Sequence, residues 1–419
     1  MFDETQQTSE LRERNNSERP SRVLNHGRLD LAISLTIADL EHDWRDLEAR
    51  ADCTPFQTFD WVDSWYSCIG NREGVQPLIV TARDESDSLV ALFPLAVERW
   101  ALTRRLVFLG RDLSDYNAPL LRRDFNRFAA GGDFNRLWAR ILATLQATAA
   151  GRHHVVFLDK MPERVGDQAN PFVSLPTFAN ENAAFSTRLD SDWTAFYTAK
   201  RSSATRRRDR TKRTRLGADA PVHVRHMETD TERARTLEVL FGQKQRSFAR
   251  NGIPNLFELP GRKDFFRALS YRARSFIHVG RLDVGDECVA ANLGIAFRDT
   301  YFHILASHTD GPLSRFGPGI VLLHEQMKFA IARGCGTFDF TIGGESYKLD
   351  WTDRKAPLHD HISAADWQGL MPSVALLAIT RSRALVKSSP RLLSAGKAMR
   401  RVLLARGGSL VRDDAAEPA

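Results

Sequence analysis

The stretch over residues 300–351, TYFHILASHTDGPLSRFGPGIVLLHEQMKFAIARGCGTFDFTIGGESYKLDW, carries the clearest alternation of strand, turn and helix signals in the chain. Its first seven residues are rich in aromatic and β-branched side chains and predict a strand. A glycine-bearing loop follows, then a helix over 319–333 with Leu322, Leu323, Met327, Ala330 and Ile331 on its apolar face. A second strand is expected over 337–341. The first turn of that helix offers unpaired backbone N–H groups and a partial positive charge, which suit a phosphate or pyrophosphate. Gly317 and Gly319 let a ligand approach the backbone, Pro318 is pre-set for a first turn, and Arg315 adds a cation. On the motif alone, a plain Gly-Pro-Gly turn before an ordinary helix explains it equally well.

A three-strand meander leads into this stretch, with strands over 276–282, 288–297 and 300–306 and turn residues between them. Helices are expected over 193–199, 230–248 and 262–274, and a strand over 222–226. The first half reads in a matching order. It has strands over 29–35, 77–82, 89–97 and 105–109, a polar loop GRDLSDYNA over 110–118, a helix over 134–149 and a strand over 154–158. Asp39 is placed to cap a helix carrying Leu40, Trp44, Leu47 and Ala51, and an aromatic-rich helix is expected over 56–70. No sequence repeat is visible, yet the matched order suggests a duplicated fold. A Pro/Asn-rich connection over 162–182 marks the boundary. The division expected is a disordered arm over 1–27, domains over 28–183 and 184–365, and a basic helical tail over 366–419.

The charge is uneven. Lys and Arg number 59 against 52 Asp and Glu, a net +7 over 419 residues. Residues 200–215 hold nine basic side chains and one acidic, and residues 367–412 hold nine basic and none acidic, so everything else sums to about −10. That distribution disfavours a diffusely basic nucleic-acid coat. Four widely spaced cysteines without a C-x-x-C pair disfavour a disulfide framework or zinc finger and fit a reducing cytoplasm. The polar opening residues lack an apolar h-region. The longest apolar stretch near the end, about ten residues from Met371, is short of the roughly 20 that a spanning helix needs. A cytoplasmic protein, at most peripheral at the inner membrane, is expected.

An antiparallel meander followed by strand, glycine turn, helix and strand resembles the GNAT acyltransferase superfamily. In that fold an R-x-x-G-x-G/A loop before the central helix holds the pyrophosphate of acyl-CoA. Arg315-Phe316-Gly317-Pro318-Gly319 is similar to it and one residue shorter. Ser114-Asp115-Tyr116-Asn117-Ala118 in the first half, and Phe338-Asp339-Phe340 through Gly343-Gly344-Glu345-Ser346-Tyr347-Lys348 with Trp351 in the second, resemble one branch. That branch is the CelD-type acetyltransferases associated with cellulose and other exopolysaccharide synthesis, tandem-GNAT relatives of the FemAB peptidyltransferases. The resemblance covers about residues 29–360 and implies an α/β (α+β) fold. It would comprise two tandem GNAT-like domains, each a mixed, mostly antiparallel sheet flanked by helices, followed by a helical tail.

The resemblance implies acyl transfer from acetyl-CoA or another acyl-CoA, cradled by Arg315, Gly317, Gly319 and Ile320, to an amine or hydroxyl of a sugar or related metabolite. Such transfer needs a proton acceptor for the nucleophile and polarisation of the thioester carbonyl. Glu345, on a glycine-flanked loop after a strand, is the first candidate base, and Asp115, in a loop entering the expected interdomain cleft, is the second. Lys348 and Tyr347 are candidates to bind an anionic group or steady the oxyanion. A loop-stabilising carboxylate at Glu345 and an Asx turn at Asp115 are the plainer readings. Asp339 is expected to make a structural hydrogen bond and His308 to be an exposed loop residue, although His308 and His303 bracket the strand end. Cys335 reads as a small buried residue. His223, His226, His359 and His361 lack partners at ligand spacing, so no metal site is expected.

Residues 200–215 read as a solvated helix or as a site for a polyanion or nucleotide-sugar. They lack aromatic residues for stacking bases, which disfavours single-strand recognition, while an aminoacyl-tRNA donor stays open. Residues 371–379 and 386–404 mix apolar and basic residues. They read as helices packed on the core or as basic amphipathic helices for an anionic membrane or a polysaccharide synthase. The rival to the enzyme reading is a non-catalytic GNAT-fold scaffold of an exopolysaccharide assembly.

Overall fold

The computed structural model describes residues 29–128, 133–343 and 345–388. The arm expected over 1–27, and the tail beyond Ser388, lie outside the described residues. The chain divides into two compact units. One holds the residues up to Asp63, Glu73–Thr177 and His361–Ser373; the other holds Ser64–Arg72, Phe178–Asp360 and the residues from Val374 on.

In the first unit, β1 (Asp30–Ser34), β2 (Gln76–Arg83), β3 (Leu89–Trp100), β4 (Thr103–Phe108) and β6 (Val155–Pro162) lie side by side in that order, and a short β5 (Leu120–Leu121) pairs with β3. All pairs are antiparallel except β4 with β6, which run parallel at Arg105–Val155 and Leu106–Val156. Residues 89–98 of β3 are buried without a break, so both faces of this central strand are covered. Phe172 sits at the middle of one core, meeting Phe93, Phe108, Phe134 and Trp138 edge-on at 4.9–6.0 Å. The helices are α1 (Glu41–Arg50), α2 (Phe59–Trp65) and α3 (Asp133–Gln146).

Two local expectations are corrected here. Asp39 does not cap α1: its carboxylate accepts from the Thr36 hydroxyl, and a 3-10 turn over Ala38–Leu40 precedes the helix. The aromatic run over 56–70 is not one helix. Thr54 and Gln57 form a capping box around a 3-10 turn at Pro55–Gln57, α2 follows, and a π turn covers Tyr66–Gly70.

In the second unit the neighbouring order is β13 (Arg354–Ala364), β7 (Phe178–Arg188), β12 (Thr337–Ile342), β11 (Thr300–His308), β10 (Glu287–Phe297), β9 (Ile277–Val284) and β8 (Val222–His226). Only β11 and β12 are parallel, joined by the crossover helix α8 (Pro318–Ala332). The other helices are α4 (Trp193–Lys200), α5 (Ser203–Leu216), α6 (Asp230–Asn251), α7 (Arg262–Arg272), α9 (Ser346–Leu349) and α10 (Leu370–Ser388). Residues 289–295 of β10 are continuously buried, and α6 and α8 pack on this strand. The burial extends to polar groups. The Tyr301 hydroxyl lies 2.7 Å from His278 Nδ1 and accepts from Asn292 Nδ2 at 3.2 Å. A Cβ on Gly294 would fall 2.1 Å from that hydroxyl, so a glycine is required there.

One irregularity positions the site. β11 and β12 pair only at Thr300–Thr337, Tyr301–Phe338 and Phe302–Asp339, and then part. Just past the last pair, Asp339 Oδ1 accepts from the Thr341 amide at 2.6 Å, and Thr341 takes a positive φ of 59°. The structural hydrogen bond expected of Asp339 is this one. On the other side of β11, the pairing with β10 shifts register between Leu293 and Gly294. His303 is the first residue beyond the parting. Among the described residues no helix is long and apolar enough to cross a membrane.

Candidate active site

Where β11 and β12 part, a cavity of about 380 Å³ opens in the second unit. Its walls are Lys244 and Ser247 of α6, His303 to His308 of β11, the Gly317–Ile320 turn with Leu323 of α8, and Glu345 and Tyr347. Pro318 occupies the first position of α8, and Gly317, at φ 66°, is its left-handed N-cap, with no side-chain cap bond. The Ile320 and Val321 amides both donate to the Gly317 carbonyl, at 3.0 and 3.2 Å, and the Gly319 amide, the first N–H of α8, is left for a ligand.

The polar side chains form a connected set. His303 Nδ1 donates to Gln326 Oε1 at 2.7 Å, which leaves Nε2 as the acceptor for the Tyr347 hydroxyl at 3.3 Å. Burial drives the His303 imidazole down to about 4; Lys348 and Lys244 add to this, against the Gln326 bond and Glu345. The ring is therefore neutral near pH 7. Burial and the Glu345 charge push the Tyr347 phenol well up, so it keeps its proton.

Lys348 is buried and donates to the Ile342 carbonyl at 2.7 Å, with Glu345 Oε2 at 3.0 Å. Burial opposes ionisation of Glu345, but Lys348 outweighs it with a charge and a hydrogen bond, Lys244 adds to the pull, and the carboxyl falls below its usual value. Burial lowers Lys244 in turn. Gly343, at φ 116°, lets the loop close over this pair: a Cβ there would lie 2.6 Å from Glu345 Oε2 and 3.1 Å from Lys348 Nζ.

Of the residues singled out from sequence, Glu345, Tyr347, Gly317, Gly319 and Ile320 all line this cavity, and Lys348 joins it through Glu345. Arg315 does not line it; its guanidinium lies over the Phe316 ring at 4.8 Å. Asp115 belongs to the first unit. The loop that carries it is held by Trp61 Nε1 donating to Ser114 Oγ at 3.0 Å, Gln57 Nε2 donating to the Tyr116 carbonyl at 2.6 Å, and Lys160 Nζ donating to the Arg111 carbonyl at 2.9 Å. His308, expected in a loop, is instead the last residue of β11; it is exposed and lines the cavity, while Cys335 is buried as expected.

His303, Gln326 and Lys244 were not chosen on sequence. Gln326 and Lys244 sit among polar neighbours and His303 is a lone histidine on an apolar strand, so no local pattern marks them for the site. Among the described residues no group of three or more His, Cys, Asp or Glu is arranged to hold a metal ion.

An ionised carboxylate, a protonated phenol on a neutral imidazole, and a helix N-terminus in one cavity are the parts that acyl transfer from a thioester requires. Residues 203–349, which hold all of them, match the family model described as an acetyltransferase (GNAT) domain. No curated protein matches the chain. Among solved structures, FemX is similar at TM-score 0.54 and 9% identity, covering 79% of this chain and 96% of that one. A conserved protein of unknown function from Bacteroides thetaiotaomicron VPI-5482 follows at TM-score 0.50 and 11% identity, with 79% and 98% covered. A tandem GNAT protein from the clavulanic acid biosynthesis pathway has TM-score 0.47 and 10% identity, with 81% and 99% covered. At such identities the likeness to the first two speaks for the fold alone. The second unit carries a GNAT-type acyltransferase domain, and the protein is an acyltransferase.

Proposed function

We propose that the enzyme moves an acyl group from acyl-CoA to an amine or hydroxyl of a sugar or related saccharide precursor, in the manner of the CelD-type enzymes of cellulose and exopolysaccharide synthesis. The observation that carries the transfer is the meeting of Glu345, Tyr347 and His303 with the first turn of α8 in one cavity. The pyrophosphate would take the Gly319 N–H at the start of α8, and the pantetheine would run into the gap between β11 and β12.

Glu345, ionised, would accept the nucleophile's proton as its nitrogen or oxygen attacks the thioester carbon. Tyr347, held protonated and oriented by His303, would donate to the departing thiolate sulfur. Lys348 would hold the Glu345 loop and steady negative charge on the carbonyl oxygen. Asp115 remains the second candidate base, and Arg315 a candidate for donor phosphate contact.

The test is thiol release from acetyl-CoA across a panel of amino sugars, sugar nucleotides and polyols, with Glu345→Gln as control. Saturable release with one acceptor, lost in the variant, supports the reading. Full activity of Glu345→Gln rejects the base.

We also propose peripheral attachment through α10. Leu370, Met371, Val374 and Ile379 are exposed there beside Arg381 and Arg383, as is Trp367 in the 3-10 turn just before the helix, while Leu376 is buried. Flotation with anionic liposomes that truncation after Asp366 abolishes would support this; flotation unchanged by truncation would reject it.

A further inference from the structure

Lys244 lines the cavity where β11 and β12 part, yet transfer to an acceptor makes no use of its amine. We infer that Lys244 is a self-acylation site: with no acceptor present, its Nζ takes the acyl group from the donor bound in the same cavity. The inference rests on the acyl-CoA reading of that cavity.

The helix fixes where the amine sits. Gln243, one residue earlier on α6, donates to the Cys288 carbonyl of β10 at 2.8 Å and accepts from the Ser307 hydroxyl of β11 at 2.8 Å. α6 is thereby pinned to both strands, and Lys244 and Ser247, three residues apart on one helix face, reach the cavity together. The charged and titratable groups that feel the Lys244 charge are Glu345, Lys348 and His303, so the amine sits among the reacting groups.

The amine is also unsatisfied. Lys160, Lys200, Lys328 and Lys348 each donate to a carbonyl or a carboxylate. Lys244 is half-buried and makes no hydrogen bond or ion pair among the described residues; its Nζ lies 5.7 Å from the centroid of the Phe248 ring. Burial lowers its pKa, against the pull of Glu345 and with the push of Lys348. A lysine held this way keeps more of the neutral amine, the form that attacks a carbonyl, than a lysine in water does.

The Nζ lone pair attacks the thioester carbon, a C–N bond forms and the C–S bond breaks. Glu345 accepts the proton that the nitrogen sheds and Tyr347 donates one to the sulfur, so CoA leaves as the thiol and the lysine becomes an amide. The amide carries no charge, which removes one of the two cations that hold the Glu345 carboxyl down. The acyl group also takes up part of a cavity of about 380 Å³. Self-acylation is thus a brake, set when donor is abundant and acceptor scarce.

Incubation of the full chain with acetyl-CoA and no acceptor, followed by mass spectrometry of the intact protein and its peptides, tests this. One acetyl group per chain is expected, on Lys244, at a rate per chain independent of protein concentration. Glu345→Gln should slow its appearance about 10²-fold, and the intact mass of Lys244→Arg should stay unshifted. An unmodified Lys244 in protein that binds CoA by calorimetry overturns the inference, as does modification at a rate that Glu345→Gln leaves unchanged. Absence of CoA binding rejects the donor reading instead, and the self-acylation site falls with it.

Discussion

The Tyr347 hydroxyl points at His303 Nε2 from 3.3 Å, across the gap where β11 and β12 part. The phenol is held up by burial and by Glu345, while burial holds the imidazole neutral. The pair thus keeps one proton ready on an oxygen that faces the cavity. Tyr347→Phe should lower kcat by about 10²-fold, the low end of general-acid contributions, with little change in CoA affinity. A KM rise at constant kcat would show that the hydroxyl binds and does not donate.

Glu345 carries a prediction with a sign. Its carboxyl lies below the usual value because Lys348 and Lys244 outweigh burial. The acid limb of kcat/KM attributable to this group should therefore fall below the ordinary Glu value of about 4.3, and the profile should be flat in this group from pH 6 to 8. Lys348→Met should move that limb upward. A limb near pH 6 or above in the unaltered enzyme, insensitive to Lys348, would contradict the ion pair's role.

Acid should destabilise the fold well above the carboxylate range. Burial depresses His303 to about 4 and His278 to about 3 from 6.5, with His226 and Arg333 adding to the latter. Below pH 6.5 the unfolded chain gains protons that the folded chain refuses. The stability these groups hold is complete above 6.5 and drains away as pH falls toward their folded values. Denaturant midpoints at pH 7.5, 5.5 and 4.5 should decline in that order. A midpoint unchanged between 7.5 and 5.5 would show that neither ring resists protonation.

The strand, glycine turn and helix around Gly317 and Pro318 were legible because they depend on local backbone chemistry: a positive φ, a fixed proline φ and an apolar period. Glu345, Tyr347 and Lys348 were legible because they cluster within four residues, Glu345 as the N-cap of α9 and the other two in that helix. His303 and Lys244 were not, since they reach the cavity through strand parting and helix packing, which no local pattern encodes. The same holds for unit membership: 64–72 and 361–373 each lie with the unit remote in sequence. Asp39 failed as a cap because the neighbouring Thr36 hydroxyl competes for its carboxylate.

Phe172 is the packing test of the first unit. It is fully buried and touches four aromatic rings edge-on. Phe172→Ala should cost about 3–5 kcal/mol by chemical denaturation. A loss under 1 kcal/mol would mean that those rings close over the space.

Calorimetric titration of the purified chain with CoA and acetyl-CoA measures the donor site itself. The cavity at the first turn of α8 predicts a saturable, one-to-one isotherm for both, abolished by Gly319→Trp, whose new side chain must cross His308 Cδ2, already 3.3 Å from a Cβ there. No heat of binding with the unaltered protein, or an isotherm that Gly319→Trp leaves unchanged, would contradict it.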